Sequence, residues 1–142
     1  MFKKLKELRE DNDLSQKKIS EILKISRQNY SRWETDEKVI PLKHLKKLSD
    51  FYKVSLDYIT GLSKYNNYKK YTLDKEVIGK RLRNLRIDNN LTQETLANSL
   101  NTTHSTISGY ENGKTLILTS FAYQICKKYN YSLDYLCGSN KN

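Results

Sequence analysis

The chain has 142 residues, with 26 Lys and Arg against 16 Asp and Glu and a formal net charge of +10. No apolar run reaches the roughly 20 residues that span a bilayer, and the amino terminus lacks the apolar stretch of a signal peptide, so a cytoplasmic protein with no membrane partner is expected. The excess charge is shared: residues 1–66 hold 15 cations against 10 anions and residues 67–142 hold 11 against 6, which favours a polyanionic partner for both halves.

Helical periodicity dominates, and strand-like alternation is nearly absent. Leu5 and Leu8 mark one face of a first helix that should stop near Asn12-Asp13. Ser15 is placed to cap a second helix with Ile19, Ile22 and Leu23 on one side. Ser26 caps a short third helix running through Glu34, with Tyr30 and Trp33 facing inward. Pro41 suits the first turn of a fourth helix bearing Leu45 and Leu48. Ser55 opens a fifth with Leu56 and Ile59, and Gly61 closes it.

The second half repeats this plan at an offset of 77 positions, which carries Leu5 onto Leu82. Leu8, Arg9, Asp11, Asn12, Leu14 and Gln16 return as Leu85, Arg86, Asp88, Asn89, Leu91 and Gln93. Ser31 and Glu34 return as Ser108 and Glu111, and Ser55-Leu56-Asp57-Tyr58 returns unchanged as Ser132-Leu133-Asp134-Tyr135. Thr92 then caps a helix with Leu96 and Leu100, and Thr103 one with Ile107 and Tyr110. Ala122, Ile125 and Tyr129 mark the next helix, Leu133 and Leu136 the last before Gly138. Such a unit is too long for a solenoid repeat that must bury its face on a neighbour. An all-α chain of two five-helix domains follows, residues 1–62 and 75–142, joined by a linker over 63–74. Each domain, at about 60 residues, buries only about 60% of its unfolded surface and should be marginally stable alone.

The linker is polar and aromatic by turns, Tyr65-Asn66-Asn67-Tyr68-Lys69-Lys70-Tyr71, and its tyrosines are expected to rest on the domains. Cys126 and Cys137 lie opposite Ser49 and Thr60 of the first copy, at a spacing unlike a metal finger. They read as reduced, buried side chains. His44 and His104 are the only histidines and sit in no metal-ligand spacing; no Gly-rich phosphate loop or nucleophile elbow is present. No catalytic residue, metal site or cofactor is therefore expected, and the chain does not read as an enzyme.

Two helices joined by a tight turn are how a small domain places one helix in the major groove of DNA. Gln16 to Leu23 and Arg27 to Glu34 flank Lys24-Ile25-Ser26; Gln93 to Leu100 and His104 to Glu111 flank Asn101-Thr102-Thr103. Leu14-Ser15-Gln16, Ile25-Ser26-Arg27-Gln28 and Ser31-Arg32-Trp33-Glu34, with Leu91-Thr92-Gln93 and Tyr110-Glu111-Asn112-Gly113-Lys114, resemble the Cro and phage-repressor family of helix-turn-helix DNA-binding domains. The likeness covers nearly all of the chain outside the linker. Lys24 and Asn101 stand where the family often has a turn glycine, and Glu34-Thr35-Asp36 departs from the Glu-x-Gly kept in Glu111-Asn112-Gly113.

The resemblance implies a lambda-repressor-like fold in each copy and double-stranded DNA as partner. By position, the base readers would be Arg27, Gln28 and Arg32 in the first copy and His104 and Ser105 in the second, where Gly109 replaces the third reader. Arginine pairs bidentately with guanine and glutamine with adenine. Phosphate contacts would come from Gln16, Ser26, Asn29 and Lys38, and from Gln93, Thr103, Thr106, Asn112 and Lys114. Arg9 with Glu34, and Arg86 with Glu111, would form structural ion pairs tying the first helix to the third. A bacterial or phage transcription regulator, by family habit a repressor, is the expectation. Within it, the two copies form an intramolecular pseudo-dimer on one site; a dozen linker residues at about 3.3 Å each could cover the roughly 34 Å of one DNA turn. The alternatives are a homodimer pairing through Tyr131, Tyr135 and Leu136 of the second copy, or a protein-binding role such as an antitoxin or antirepressor.

Overall fold

The computed structural model describes residues 2–140, which form ten α-helices and no strand among the described residues. Contacts divide the chain into two compact units between Lys69 and Lys70. The first holds α1 (Lys4–Asp11), α2 (Gln16–Leu23), α3 (Arg27–Glu34), α4 (Leu42–Tyr52) and α5 (Leu56–Ile59). The second holds α6 (Lys75–Asp88), α7 (Gln93–Ser99), α8 (His104–Glu111), α9 (Thr119–Lys128) and α10 (Leu133–Cys137). None of these helices is long and apolar enough to cross a membrane.

Three helices of each copy start with the same chemistry. Ser15, Ser26 and Ser55 accept hydrogen bonds from the amides of Lys18, Asn29 and Tyr58, and Thr92, Thr103 and Ser132 do the same for Thr95, Thr106 and Tyr135. Each such cap satisfies an amide that has no partner within the helix and is worth about 1 kcal/mol. Pro41 is the N-cap of α4 rather than part of its first turn, and Tyr129, expected on the inner face of α9, is its half-buried C-cap.

Helix ends recur more faithfully than the residues that make them. Asp13, Lys24, Asp36, Lys53 and Gly61 have positive φ, and so do their counterparts Asn90, Asn101, Gly113, Asn130 and Gly138. The turn inside the motif is left-handed in both copies, with φ of 57° at Lys24 and 55° at Asn101, although neither is glycine. Asp36, at φ 64°, traces the path that Gly113 takes at 70°, so the first copy keeps the loop after α3 despite lacking the family's glycine. A left-handed L-residue costs about 1–2 kcal/mol.

The cores hold most of the residues that periodicity assigned to them, while Leu8 and Ile22, expected on the same faces, are half-buried. Leu5, Ile19, Leu23, Tyr30, Trp33, Leu45, Leu48, Leu56 and Ile59 are buried in the first unit; Leu82, Leu85, Leu96, Ile107, Tyr110, Ala122, Ile125, Leu133 and Leu136 are buried in the second. Cys126 and Cys137 are both buried thiols. Burial of Leu136 removes it from the pairing surface expected around Tyr131 and Tyr135. The Tyr135 ring is itself covered by the Arg81 guanidinium, 3.9 Å from its centroid, as Lys4 covers Tyr58 at 4.2 Å in the first copy.

In the second unit α6 extends a turn and more beyond its counterpart, capped by Asp74 through the amides of Glu76 and Val77. Gly79 on this added length is where α6 crosses α8: a methyl group there would stand 2.5 Å from the carbonyl oxygen of Tyr110 and 2.6 Å from that of Glu111. Helix propensity alone would favour alanine by about 1 kcal/mol. The backbone clash reverses the sign, and Gly79→Ala is expected to destabilise the second unit by about 1–3 kcal/mol. Urea unfolding followed by circular dichroism checks this; an unchanged or raised midpoint would show that α6 does not brace α8 at this crossing.

The expected linker is largely folded onto the units. Asn66 accepts from the Ser55 amide at 2.9 Å and donates to the Lys53 carbonyl at 3.0 Å, while the Tyr68 hydroxyl donates to Asp50 at 3.0 Å. On the other side the Tyr71 hydroxyl donates to Asp134 at 2.8 Å. Only Lys69 and Lys70 lie between the two anchored tyrosines, so the dozen-residue reach expected from sequence requires these contacts to open.

Candidate nucleic-acid interface

The front of α3 is presented by the turn after α2. Ser26 ends the turn and caps the helix, so that Arg27, Gln28 and Asn29 emerge together in its first turn, all exposed. Tyr30 and Trp33, on the opposite side, are buried and pack edge to face at 6.0 Å between centroids. One face of α3 is thereby fixed to the core and the other is left to solvent. Arg32 emerges a turn later, half-buried, with Nε 3.4 Å from Oε2 of Glu37 in the following loop. Glu37 carries no helical or motif signal and was not visible as a neighbour of Arg32 in the sequence. An exposed pair of this kind is worth about 0–1 kcal/mol and leaves the guanidinium available.

The bracing behind α3 is a hydrogen-bonded ion pair. Arg9 Nε donates to Glu34 Oε2 at 2.7 Å and Nη2 to Oε1 at 3.0 Å, while Nη1 donates to the Leu14 carbonyl at 2.9 Å. A single guanidinium thus ties α1, the following turn and the end of α3. The second copy repeats it, with Arg86 donating to Glu111 at 2.7 and 3.1 Å and to the Leu91 carbonyl at 2.8 Å. Both glutamate side chains are 3% exposed.

Burial acts to raise the Glu34 pKa, yet the Arg9 guanidinium first, then the Tyr30 hydroxyl and the Gln16 amide, outweigh it and hold the carboxyl below its ordinary 4.5. The Arg9 guanidinium is pushed upward by its bond to Glu34, against burial. A depressed carboxylate contributes stability that is complete above its unfolded value and is lost as pH falls through the folded one. First-unit stability is therefore expected to decline below about pH 4.5 in proportion to this shift. Urea titrations read by Trp33, the only tryptophan, should show the decline, and Glu34→Gln should flatten it. An equally steep decline in the variant would remove Glu34 as its source.

Two expected phosphate grips have another partner. Gln16 Nε2 donates to Glu34 Oε1 and Gln93 Nε2 to Glu111 Oε1, each at 3.1 Å. These glutamines complete the bracing network and keep one further amide hydrogen each for an outside acceptor. Ser26 and Thr103 serve as caps, with Thr103 Oγ1 also 2.9 Å from that of Thr106. Asn112 donates to Ser108 Oγ at 3.2 Å; Lys38 and Lys114 are exposed just past α3 and α8.

The front of α8 presents exposed His104 and Ser105, with Thr106 half-buried behind them. At Gly109 an added methyl would meet nothing closer than Thr115 Oγ1 at 3.5 Å, an ordinary contact. The protein's own packing does not require that glycine.

A family model described as a helix-turn-helix matches residues 5–59, and one described as a helix-turn-helix domain matches residues 79–138. Over 89 residues the chain is 32% identical to the HTH-type transcriptional regulator ImmR of Bacillus subtilis, a stretch that covers 63% of this chain and 70% of that protein. The crystal structure of the clp gene regulator ClgR from Corynebacterium glutamicum aligns with 47% of this chain and 71% of its own, at a TM-score of 0.42 and 22% identity.

Proposed function

Because the chain belongs to the helix-turn-helix family and carries two such domains in tandem, we propose that it is a transcription regulator that reads double-stranded DNA with the fronts of α3 and α8. It acts as a repressor by occluding the duplex it covers. The observation that carries this is the division of α3: Arg27, Gln28 and Asn29 stand exposed on one side, while Tyr30, Trp33 and the Arg9–Glu34 pair lock the other. Exposed donors on a fixed rod are what base-edge recognition needs, since each bidentate pair discriminates only when its geometry is held.

Arg27, Gln28 and Arg32 supply most of the sequence information. His104 and Ser105 read more loosely, and Gly109 lets α8 approach the duplex closely. Asn29, Lys38, Thr106, Asn112 and Lys114, with the remaining amide hydrogens of Gln16 and Gln93, contact phosphates. The two copies occupy one asymmetric site, the first to bind raising the local concentration of the second.

Selection of bound fragments from a random duplex pool, followed by titration against salt, tests this. A defined motif should emerge, and with six or more phosphate contacts affinity should fall by about 1,000-fold or more between 50 and 200 mM salt. Failure to enrich any motif, with binding indifferent to salt, would refute it.

A further inference from the structure

The second unit carries a groove with no role in the DNA-reading face. It is a cavity of about 450 Å³ between α7 and the end of α9, floored by Leu96, Leu100 and Ile125 and rimmed by Tyr123, Lys127 and Lys128. The lysines lie over tyrosine rings, Lys127 Nζ 5.8 Å from the Tyr123 centroid and Lys128 Nζ 5.6 Å from that of Tyr129. None of its lining residues is acidic, and none is a residue assigned to base or phosphate contact.

The first unit shows what this location accommodates. At the same offset of 77, Tyr123 and Lys127 correspond to Lys46 and Asp50. Lys46 and Asp50 form a 2.6 Å ion pair on α4, and Asp50 receives the hydroxyl of Tyr68 from the segment folded back over that helix. In the first copy a tyrosine from the segment after α5 thus reaches the position that Lys127 holds at the rim of the second unit's groove. The polarity is inverted: Asp50, which accepts, is replaced by Lys127, which donates, and Phe51 by a second cation, Lys128. A segment that suits the second groove must bring an apolar or aromatic side chain for the floor and carboxylates for the rim.

We infer that this groove docks an acidic, tyrosine-bearing extended segment of a partner protein. The basic stretch around Tyr68 of another copy is excluded by charge, because Lys64, Lys69 and Lys70 would meet Lys127 and Lys128. Docking here leaves α8 unobstructed, so the partner binds the regulator on DNA as well as off it.

The test uses the full chain and a fluorescein-labelled synthetic peptide with one tyrosine flanked by aspartate and glutamate, followed by anisotropy in dilute buffer. Saturable binding is expected, weakened at least about tenfold by Lys127→Glu with Lys128→Glu, and equally by Ser99→Trp, which fills the groove from its rim. Replacing the peptide's tyrosine with alanine should cost a similar factor. Charge reversal at Arg27 and Arg32 should lower duplex binding by at least about 100-fold and leave peptide binding intact, which separates this surface from the DNA-reading face. Circular dichroism confirms that each variant is folded. Absence of saturable binding, equal binding of the alanine peptide, or displacement by a single-stranded oligonucleotide would each overturn the assignment.

Discussion

Replacing Arg27 and Arg32 together with glutamate is expected to lower affinity for the selected duplex by at least about 100-fold at fixed salt. Each bidentate arginine–guanine pair contributes about 1–3 kcal/mol, and about 1.4 kcal/mol is a factor of ten, so the two contacts alone span that range or exceed it. Glutamate adds repulsion from the phosphates. The fold should not respond. Arg27 is exposed, and among the described residues Arg32 pairs only with exposed Glu37, at 3.4 Å. The matching reversal in the second copy, His104→Glu with Ser105→Glu, should cost less, about tenfold, because neither residue makes a bidentate cationic contact. Anisotropy titrations of both variants check the order. Unchanged affinity in the first-copy variant would mean that the front of α3 does not face the duplex.

The largest stability effect is expected at Arg9. Arg9→Met leaves the Glu34 carboxylate, 3% exposed, with no cation and only neutral neighbours, the Gln16 amide at 3.1 Å and the Tyr30 hydroxyl. Removing one partner of a buried pair costs about 3–5 kcal/mol. A small domain has about 5–15 kcal/mol in total, so the first unit should lose much of its cooperative unfolding transition. Trp33 packs on α3 within the affected region, and its fluorescence reports this unit alone. Replacing both partners, Arg9→Met with Glu34→Leu, should recover most of the loss, because apolar groups of similar volume need no compensation when buried. A stability loss below about 1 kcal/mol for Arg9→Met would show that the pair does not brace α3.

Much of this was legible because the relevant signals are local and repeated. Ser15, Ser26 and Ser55 announce helix starts in the first copy, Thr92, Thr103 and Ser132 in the second, and apolar spacing assigns the core. The Arg9–Glu34 link was readable only through its recurrence as Arg86–Glu111 and the family resemblance. Contacts without period or repeat were not legible. Asn66 and Tyr68 bind the first unit through single side-chain hydrogen bonds to Lys53, Ser55 and Asp50, and nothing in a polar aromatic stretch marks which tyrosine is anchored. The family resemblance implied the phosphate role of Gln16, whereas its bond to Glu34, 18 residues away, carried no signal in the sequence. Leu136 read as surface in one role and core in another, and it is fully buried.

Methylation interference on the selected duplex bears most directly on the central claim, that the exposed side of α3 lies against base edges in the major groove. Methylation of guanine N7 projects into that groove, and that of adenine N3 into the minor groove. Interference is expected at guanine N7 within the selected motif, and the Arg27 and Arg32 variants should lose it at particular guanines. Interference confined to adenine N3, or a pattern unaltered by those substitutions, would contradict the account.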